Sequence, residues 1–234
     1  MLGTIVNTIT IMAGSTIGAI FKQSVSERYR KVLFNALGLA SIMLGVNASV
    51  SNMPKSEYPV LFILSLAIGS LVGTKFDFAG RLERFEERRR AQRSQGEDQP
   101  KLVEGLTTGC LLYCIGTFSI VGPVLSALEG DNTFLFTNAT LDFVSSAVLA
   151  AVYGWGMILA APILFCWQGM FYAIALIFRD AMPEPMRVEL SIVGGVLILC
   201  SGLSLLNIKD CKTINMLPSL LVPVIYYAIK SLIL

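Results

Sequence analysis

Apolar runs long enough to cross a lipid bilayer alternate along this chain with short polar connections. They fall at residues 2–21, 32–54, 57–74 (opened by Glu57), 105–128, 132–141, 143–178, 190–208 and 213–229, the fifth and sixth separated only by Asp142. A helix rises about 1.5 Å per residue and the hydrocarbon core is about 30 Å thick, so about 20 residues make one crossing. Run 143–178 would extend about 54 Å as one helix, too far for a single span. The break is expected at Gly154-Trp155-Gly156, where two helix-weakening glycines flank an interface-favouring Trp. This predicts one span over 134–153 and another over 157–178, eight in all. Seven is the alternative, with part of 134–178 re-entrant. The expected fold class is an all-α polytopic membrane protein.

Two segments align without gaps at an offset of 157: 21-FKQSVSERYRKVLFNALGLASIMLG-45 and 178-FRDAMPEPMRVELSIVGGVLILCSG-202. Phe21/Phe178, Glu27/Glu184, Arg30/Arg187, Leu33/Leu190, Gly38/Gly195 and Gly45/Gly202 coincide. Within each copy the glycines are seven apart, which places both on one helix face and leaves the same small-residue surface. The offset also sets the third span against the last. Five spans of displacement reverse direction across the membrane, so the pattern predicts an inverted three-helix repeat, an arrangement common in secondary transporters. The chain then divides into a first repeat (1–76), a basic loop or helix (77–101), central helices with a broken helix (102–156) and a second repeat (157–234). Gly14/Gly18 and Gly69/Gly73 are further small-xxx-small faces that let helix backbones approach.

Composition agrees with lipid as the solvent. Hydrophobic residues make up 54% of the 234 and charged residues 15%, against about 25% charge in soluble domains. The net charge of +2 matters less than its placement. Lys22, Arg28, Arg30 and Lys31 lie between the first two spans, and eight more basic residues lie in 75-KFDFAGRLERFEERRRAQRSQGEDQPK-101. By the positive-inside rule both loops face the cytoplasm, with the N-terminus, the 51–57 connection and the 129-EGDNT-133 turn outside. Eight spans put the C-terminus outside too. A helix is expected over 79–94, where Glu86 and Arg90 are spaced i,i+4 and Leu82 and Phe85 share one side. The start, MLGTIVNTIT, lacks the basic region of a cleaved signal peptide, so the first run is expected to be retained.

Chemistry is sparse. There is no His, and the five Cys have neither zinc spacing nor a disulfide framework. No metal site, cofactor, nucleic-acid site or enzymatic constellation is therefore expected. The singular feature is Asp142, about a third of the way into its predicted span. A carboxylate there costs several kcal/mol unless it is protonated, partnered or wet. Asn138 lies one turn earlier on the same face, and Ser145 and Ser146 one turn later. Before them, 116-GTFSIVGPVLSALEGD-131 reads as a broken helix through Gly116, Gly122 and Pro123. The segment 122-GPVLSALEG-130 resembles 161-APILFCWQG-169, which sets Glu129 against Gln168. Asn7, Thr8 and Asn47 complete the polar candidates. Each alone is expected to be an interhelical hydrogen bond rather than a ligand; convergence with Asp142 would make them a site.

The order GCLLYCIGTFSIVGPVLSALEGD, TNATLD, PILFCWQG, VGGVLILCSGLSLLNIK and NMLPSLL resembles the YqgA/YdfK family of bacterial inner-membrane proteins, domain of unknown function 554. The resemblance runs over essentially the whole chain. It implies a multi-pass protein of the cytoplasmic membrane and no particular substrate. Two functions follow as expectations. The first is a small secondary transporter or channel for an ion or small metabolite, with Asp142 as the coupling acid. The alternative is a non-transporting scaffold or accessory protein acting through its Arg-rich loop. The bilayer is the expected partner in both, and a homo-oligomer is left open.

Overall fold

The computed structural model describes residues 1–21, 27–93, 106, 109–114, 116–180 and 182–233. Among these the chain is helical, with no strand. The helices are α1 (Leu2–Phe21), α2 (Glu27–Asn52), α3 (Leu61–Phe76), α4 (Phe78–Arg93), α5 (Thr117–Glu129), α6 (Thr133–Tyr153), α7 (Ala160–Arg179), α8 (Glu184–Leu205), α9 (Thr213–Met216) and α10 (Leu221–Ile233). Short 3₁₀ turns follow α2, α6 and α9. Six stretches among the described residues are long and apolar enough to cross a membrane. This is an all-α polytopic membrane protein.

The faces of α1 show why lipid is its solvent. Ile5, Ile9, Met12, Ile17 and Ile20 are exposed, whereas Thr4, Asn7, Gly14, Ser15 and Gly18 are buried. Apart from Ile11, which is fully buried, these large apolar side chains point outward and the small or polar ones inward. That reverses the order of a soluble helix, because hydrocarbon outside removes the penalty for exposing Ile.

One of the six stretches, 133–179, is 47 residues long. It divides into α6 and α7 at the expected place: Gly154 has φ 76° and ψ −154°, and a 3₁₀ segment runs from Gly154 to Leu159. That backbone region is essentially restricted to glycine. Gly154→Ala is expected to cost about 1–3 kcal/mol, read as a lowered unfolding midpoint of the purified protein in detergent. An unchanged midpoint would mean that the α6–α7 junction follows another path.

The expected fourth span, 105–128, includes residues 105, 107, 108 and 115, which lie outside the described set. Residues 109–114 are helical, Gly116 is extended (ψ 144°), and α5 begins at Thr117. The break is therefore at Gly116. Gly122 and Pro123, expected to interrupt the same helix, sit inside a continuous α5. Pro123 is accommodated within it, with no amide to offer the Ser119 carbonyl. The helix expected over 79–94 is α4; Arg30, Leu82, Glu86 and Arg90 fall outside the side chains described.

The helices form two compact units. Unit 1 comprises Met1–Leu37 and Gln92–Ile177; unit 2 comprises Gly38–Ala91 and Phe178–Leu234. Each joins segments from distant parts of the chain, whereas the division at 76, 101 and 156 follows chain order.

In unit 1, α1 and α6 run side by side in the same direction. A Cβ added at Gly3 would meet Leu135, one at Gly14 would meet Phe143 and Ser146, and one at Gly18 would meet Ala147. Residue numbers rise together along the seam. In unit 2 the pairs are antiparallel. Gly38 lies against Gly202 and Leu206, and Gly45 against Gly195 and Leu199, so α2 and α8 cross backbone to backbone. Likewise Gly69 meets Ser219 and Gly73 meets Asn215, laying α3 along the 213–221 segment. All eight glycines expected to pack helices lie at such contacts.

Candidate functional site

The buried polar side chains of unit 1 converge on Asp142. The helix Thr133–Tyr153 places it midway along α6, deeper than the sequence estimate. Its side chain is 6% exposed. Asn138, one turn earlier, donates through Nδ2 to Asp142 Oδ2 at 2.9 Å. Asn7 of α1 donates to the same oxygen, also at 2.9 Å. The α1–α6 glycine seam makes the second bond reachable: a short amide side chain spans the gap only where the backbones nearly touch.

Further contacts tie in the other helices. Asn138 Nδ2 also lies 3.4 Å from Ser119 Oγ of α5, and Gln168 Nε2 of α7 lies 3.5 Å from the same hydroxyl. Ser119 donates its own proton to the carbonyl of Tyr113, across the Gly116 break. Pro123, four residues after Ser119, has no N–H to return to the Ser119 carbonyl, which therefore loses its ordinary helical donor. The network Asn7–Asp142–Asn138–Ser119–Gln168 draws on α1, α5, α6 and α7, and every member is buried.

The buried polar atoms of unit 1 without a hydrogen-bond partner among the described residues include donors, the Tyr113 and Ser15 hydroxyls and Trp167 Nε1, as well as acceptors. Asn7 Oδ1, Gln168 Oε1 and the Thr4 hydroxyl are buried without a hydrogen-bond partner among the described residues. Both donors to Asp142 are neutral amides, and no cationic side chain forms an ion pair with it among those residues. A carboxylate in hydrocarbon needs neutralising by a proton or a cation. The unfilled amide oxygens of Asn7 and Gln168 in the same network are hard ligands suited to the same charge. The arrangement favours cation or proton handling and disfavours an anion.

Of the sequence candidates, Asp142, Asn138, Asn7 and Gln168 are brought together, and Pro123 borders them through the carbonyl it frees. Glu129 is not among them. It stands at the exposed end of α5, about 15 Å along the helix from Ser119. Its sequence counterpart Gln168 is fully buried, so the two occupy different environments. Thr8 bonds its own helix, donating to the Thr4 carbonyl at 2.9 Å. Asn47 lies on an exposed face of α2 in unit 2, where it accepts from Ser51 at 3.3 Å. Sequence reasoning missed Ser119 and Tyr113 as participants; their proximity to the glycine break was the available signal.

Comparison with known proteins places this architecture. Residues 2–228 match the family described as "Protein of unknown function (DUF554)". The chain belongs to the DUF554 family. Among DUF554 relatives, the "Uncharacterized membrane protein YdfK" of Bacillus subtilis (strain 168) is 47% identical over 223 residues, covering 95% of this chain and 94% of the relative. The "Uncharacterized protein YqgA" of Escherichia coli (strain K12) is 27% identical over 234 residues, covering 94% of each. No solved structure matches. The family resemblance read from the sequence is thus confirmed, and the membrane description of one DUF554 relative agrees with the apolar helices.

Proposed function

We infer that this protein is a small secondary transporter or channel of the bacterial cytoplasmic membrane, moving an ion or small metabolite, with Asp142 as its coupling or cation-binding acid. The observation that carries the reading is the buried Asp142 carboxylate, held among the described residues by neutral amides from two helices, in a network that reaches the helix broken at Gly116. Discontinuous helices line substrate sites in many carriers because their freed backbone groups can ligate the cargo. The carboxylate itself, with two neutral amide donors and no ion pair among the described residues, favours a proton or cation as the coupling species.

An inverted repeat belongs to this reading. At the offset of 157, Gly38 becomes Gly195 and Gly45 becomes Gly202, so the contact Gly38–Gly202 exchanges with Gly195–Gly45. Both contacts are present. Such self-complementary pairing is what a pseudo-two-fold axis between antiparallel α2 and α8 requires. The parallel course of α1 and α6 fits the eight-span arrangement, in which the first and fifth spans cross in one direction. That arrangement has the N-terminus outside and loop 77–101 in the cytoplasm.

The scaffold alternative draws on α4, where Arg81, Arg84 and Arg88 line a shallow exposed cleft with Phe85. Reconstitution separates the two readings. Proteoliposomes carrying the protein are expected to pass protons or sodium above protein-free vesicles, and deletion of 79–98 is expected to leave at least partial flux. A scaffold gives no flux in either preparation and loses its cellular role with the loop.

A further inference from the structure

Unit 2 contains a second buried acid that lies outside the Asp142 network. Glu189, in the first turns of α8, is fully buried. Its Oε1 accepts from the Ser56 hydroxyl, while Oε2 has no hydrogen-bond partner among the described residues. Ser56 also accepts from the Tyr58 amide at 3.2 Å, which ties the Tyr58 backbone to the hydroxyl that serves the acid. Around Tyr58 stand two more tyrosines. Its ring meets that of Tyr226 at 5.3 Å and that of Tyr227 at 6.5 Å, and Tyr226 meets Tyr227 at 5.4 Å, all edge to face. The Tyr227 hydroxyl is buried and unpartnered, within electrostatic reach of both Glu57 and Glu189.

Into this aromatic corner comes one side-chain ammonium. Lys230 Nζ lies 5.1 Å from the Tyr58 centroid and 5.6 Å from that of Tyr227, and 3.4 Å from Glu57 Oε2. Ring faces attract weakly hydrated cations, and a carboxylate beside them sets the charge. Glu57 meets this lysine directly, while Glu189 Oε2 and the Tyr227 hydroxyl are each buried without a hydrogen-bond partner among the described residues. Lys230 is only partly covered, with a third of its side chain exposed. Its ammonium is therefore positioned to be exchanged for another of the same kind.

We propose that Glu57, Tyr58, Glu189, Tyr226 and Tyr227 form a binding site for a small ammonium cation, with the Lys230 side chain as its tethered, displaceable occupant. The rings take the alkyl and cationic faces of the ligand, and the carboxylates take its N–H groups. Sodium, more strongly hydrated and without N–H donors, suits the rings less well. The site stands independently of the transport reading, since it lies in unit 2 and shares no residue with the Asp142 network.

The test is calorimetric titration of the full chain in detergent with methylammonium chloride, against sodium chloride at matched ionic strength. Lys230→Ala is expected to bind methylammonium about tenfold more tightly than the unsubstituted protein, the scale of one cation–π competitor removed. Sodium is expected to give no saturable heat. Adding Tyr58→Ala is expected to erase the gain. Equal affinity with and without Lys230, or a gain that survives Tyr58→Ala, overturns the proposal. Should Lys230→Ala fail to purify as a monodisperse species, Lys230→Met keeps the aliphatic stem and carries the same expectation and the same refutation.

Discussion

Gly18→Leu is expected to separate α1 from α6 and abolish the folded form of unit 1. Even a single Cβ at Gly18 would lie 2.1 Å from the Ala147 carbonyl oxygen and 2.9 Å from its carbon. Those are backbone atoms of another helix, so no rotamer change relieves the clash. Overpacking in a well-filled interior usually costs about 1–3 kcal/mol, and a leucine against main chain belongs at or above the upper end. Within lipid there is little hydrophobic drive to hold the displaced helices together. The Asn7–Asp142 bond depends on the same approach, and it should be lost with the seam. Size-exclusion of the detergent-solubilised variant should show aggregation or a lowered unfolding midpoint. Ile17→Leu, on the exposed face next door, should behave as the unsubstituted protein. Equal stability of both variants would show that the helices do not meet at Gly18.

Asp142 should separate folding from function when two substitutions are compared. Asp142→Asn keeps the shape, and its amide can be satisfied. The new carbonyl oxygen can accept from Asn138, and the new N–H₂ can donate to Asn7 Oδ1, an acceptor that is unfilled in the present structure. Folding should therefore be near-normal, while cation flux in proteoliposomes falls to the level of protein-free vesicles, because the titratable charge is gone. Asp142→Leu instead leaves two buried amide donors facing a hydrocarbon side chain. Each unmade bond costs about 1–3 kcal/mol, so this variant should unfold markedly more easily. Full flux from Asp142→Asn would remove the acid from the mechanism. Equal stability of the two variants would remove the hydrogen-bond network from the account of folding.

Much of the helical architecture was legible because lipid imposes a one-dimensional constraint. A span needs a continuous apolar run, and its length is set by the bilayer. The α6–α7 division at Gly154 could be read the same way, since a 47-residue apolar stretch had to break and two glycines marked the place. The glycine faces at 38, 45, 195 and 202 were visible as spacing, because a helix repeats its face every seven residues. The break before α5 was assigned too widely. Gly116, Gly122 and Pro123 all carry breaker signals, yet α5 continues through Gly122 and Pro123 and only Gly116 is extended.

The functional residues were legible to different degrees for one reason: burial of a polar group has a local sequence signature only when the flanking run is apolar. Asp142 stood out within such a run. Glu189 did not, because it lies at the boundary of its run beside Arg187 and Glu184, where an acid ordinarily sits in water. In the folded chain it is fully buried and bonded by Ser56 of the 53–58 connection. Glu129 shows the converse, an acid flagged by analogy that the end of α5 leaves exposed.

From the amino-acid order alone came the solvent of this protein, the approximate positions of its helices, the glycine faces along which they approach, and one acid too deep in an apolar run to be incidental. Those are matters of composition and periodicity, set residue by residue along each helix. Which helices pair, that Asn7 reaches Asp142 across 135 positions, and that Ser56 closes over Glu189, were decided only by the tertiary structure. Neutral amides and hydroxyls carry no partner address in sequence, and their bonds exist only where packing brings backbones within a side chain's length.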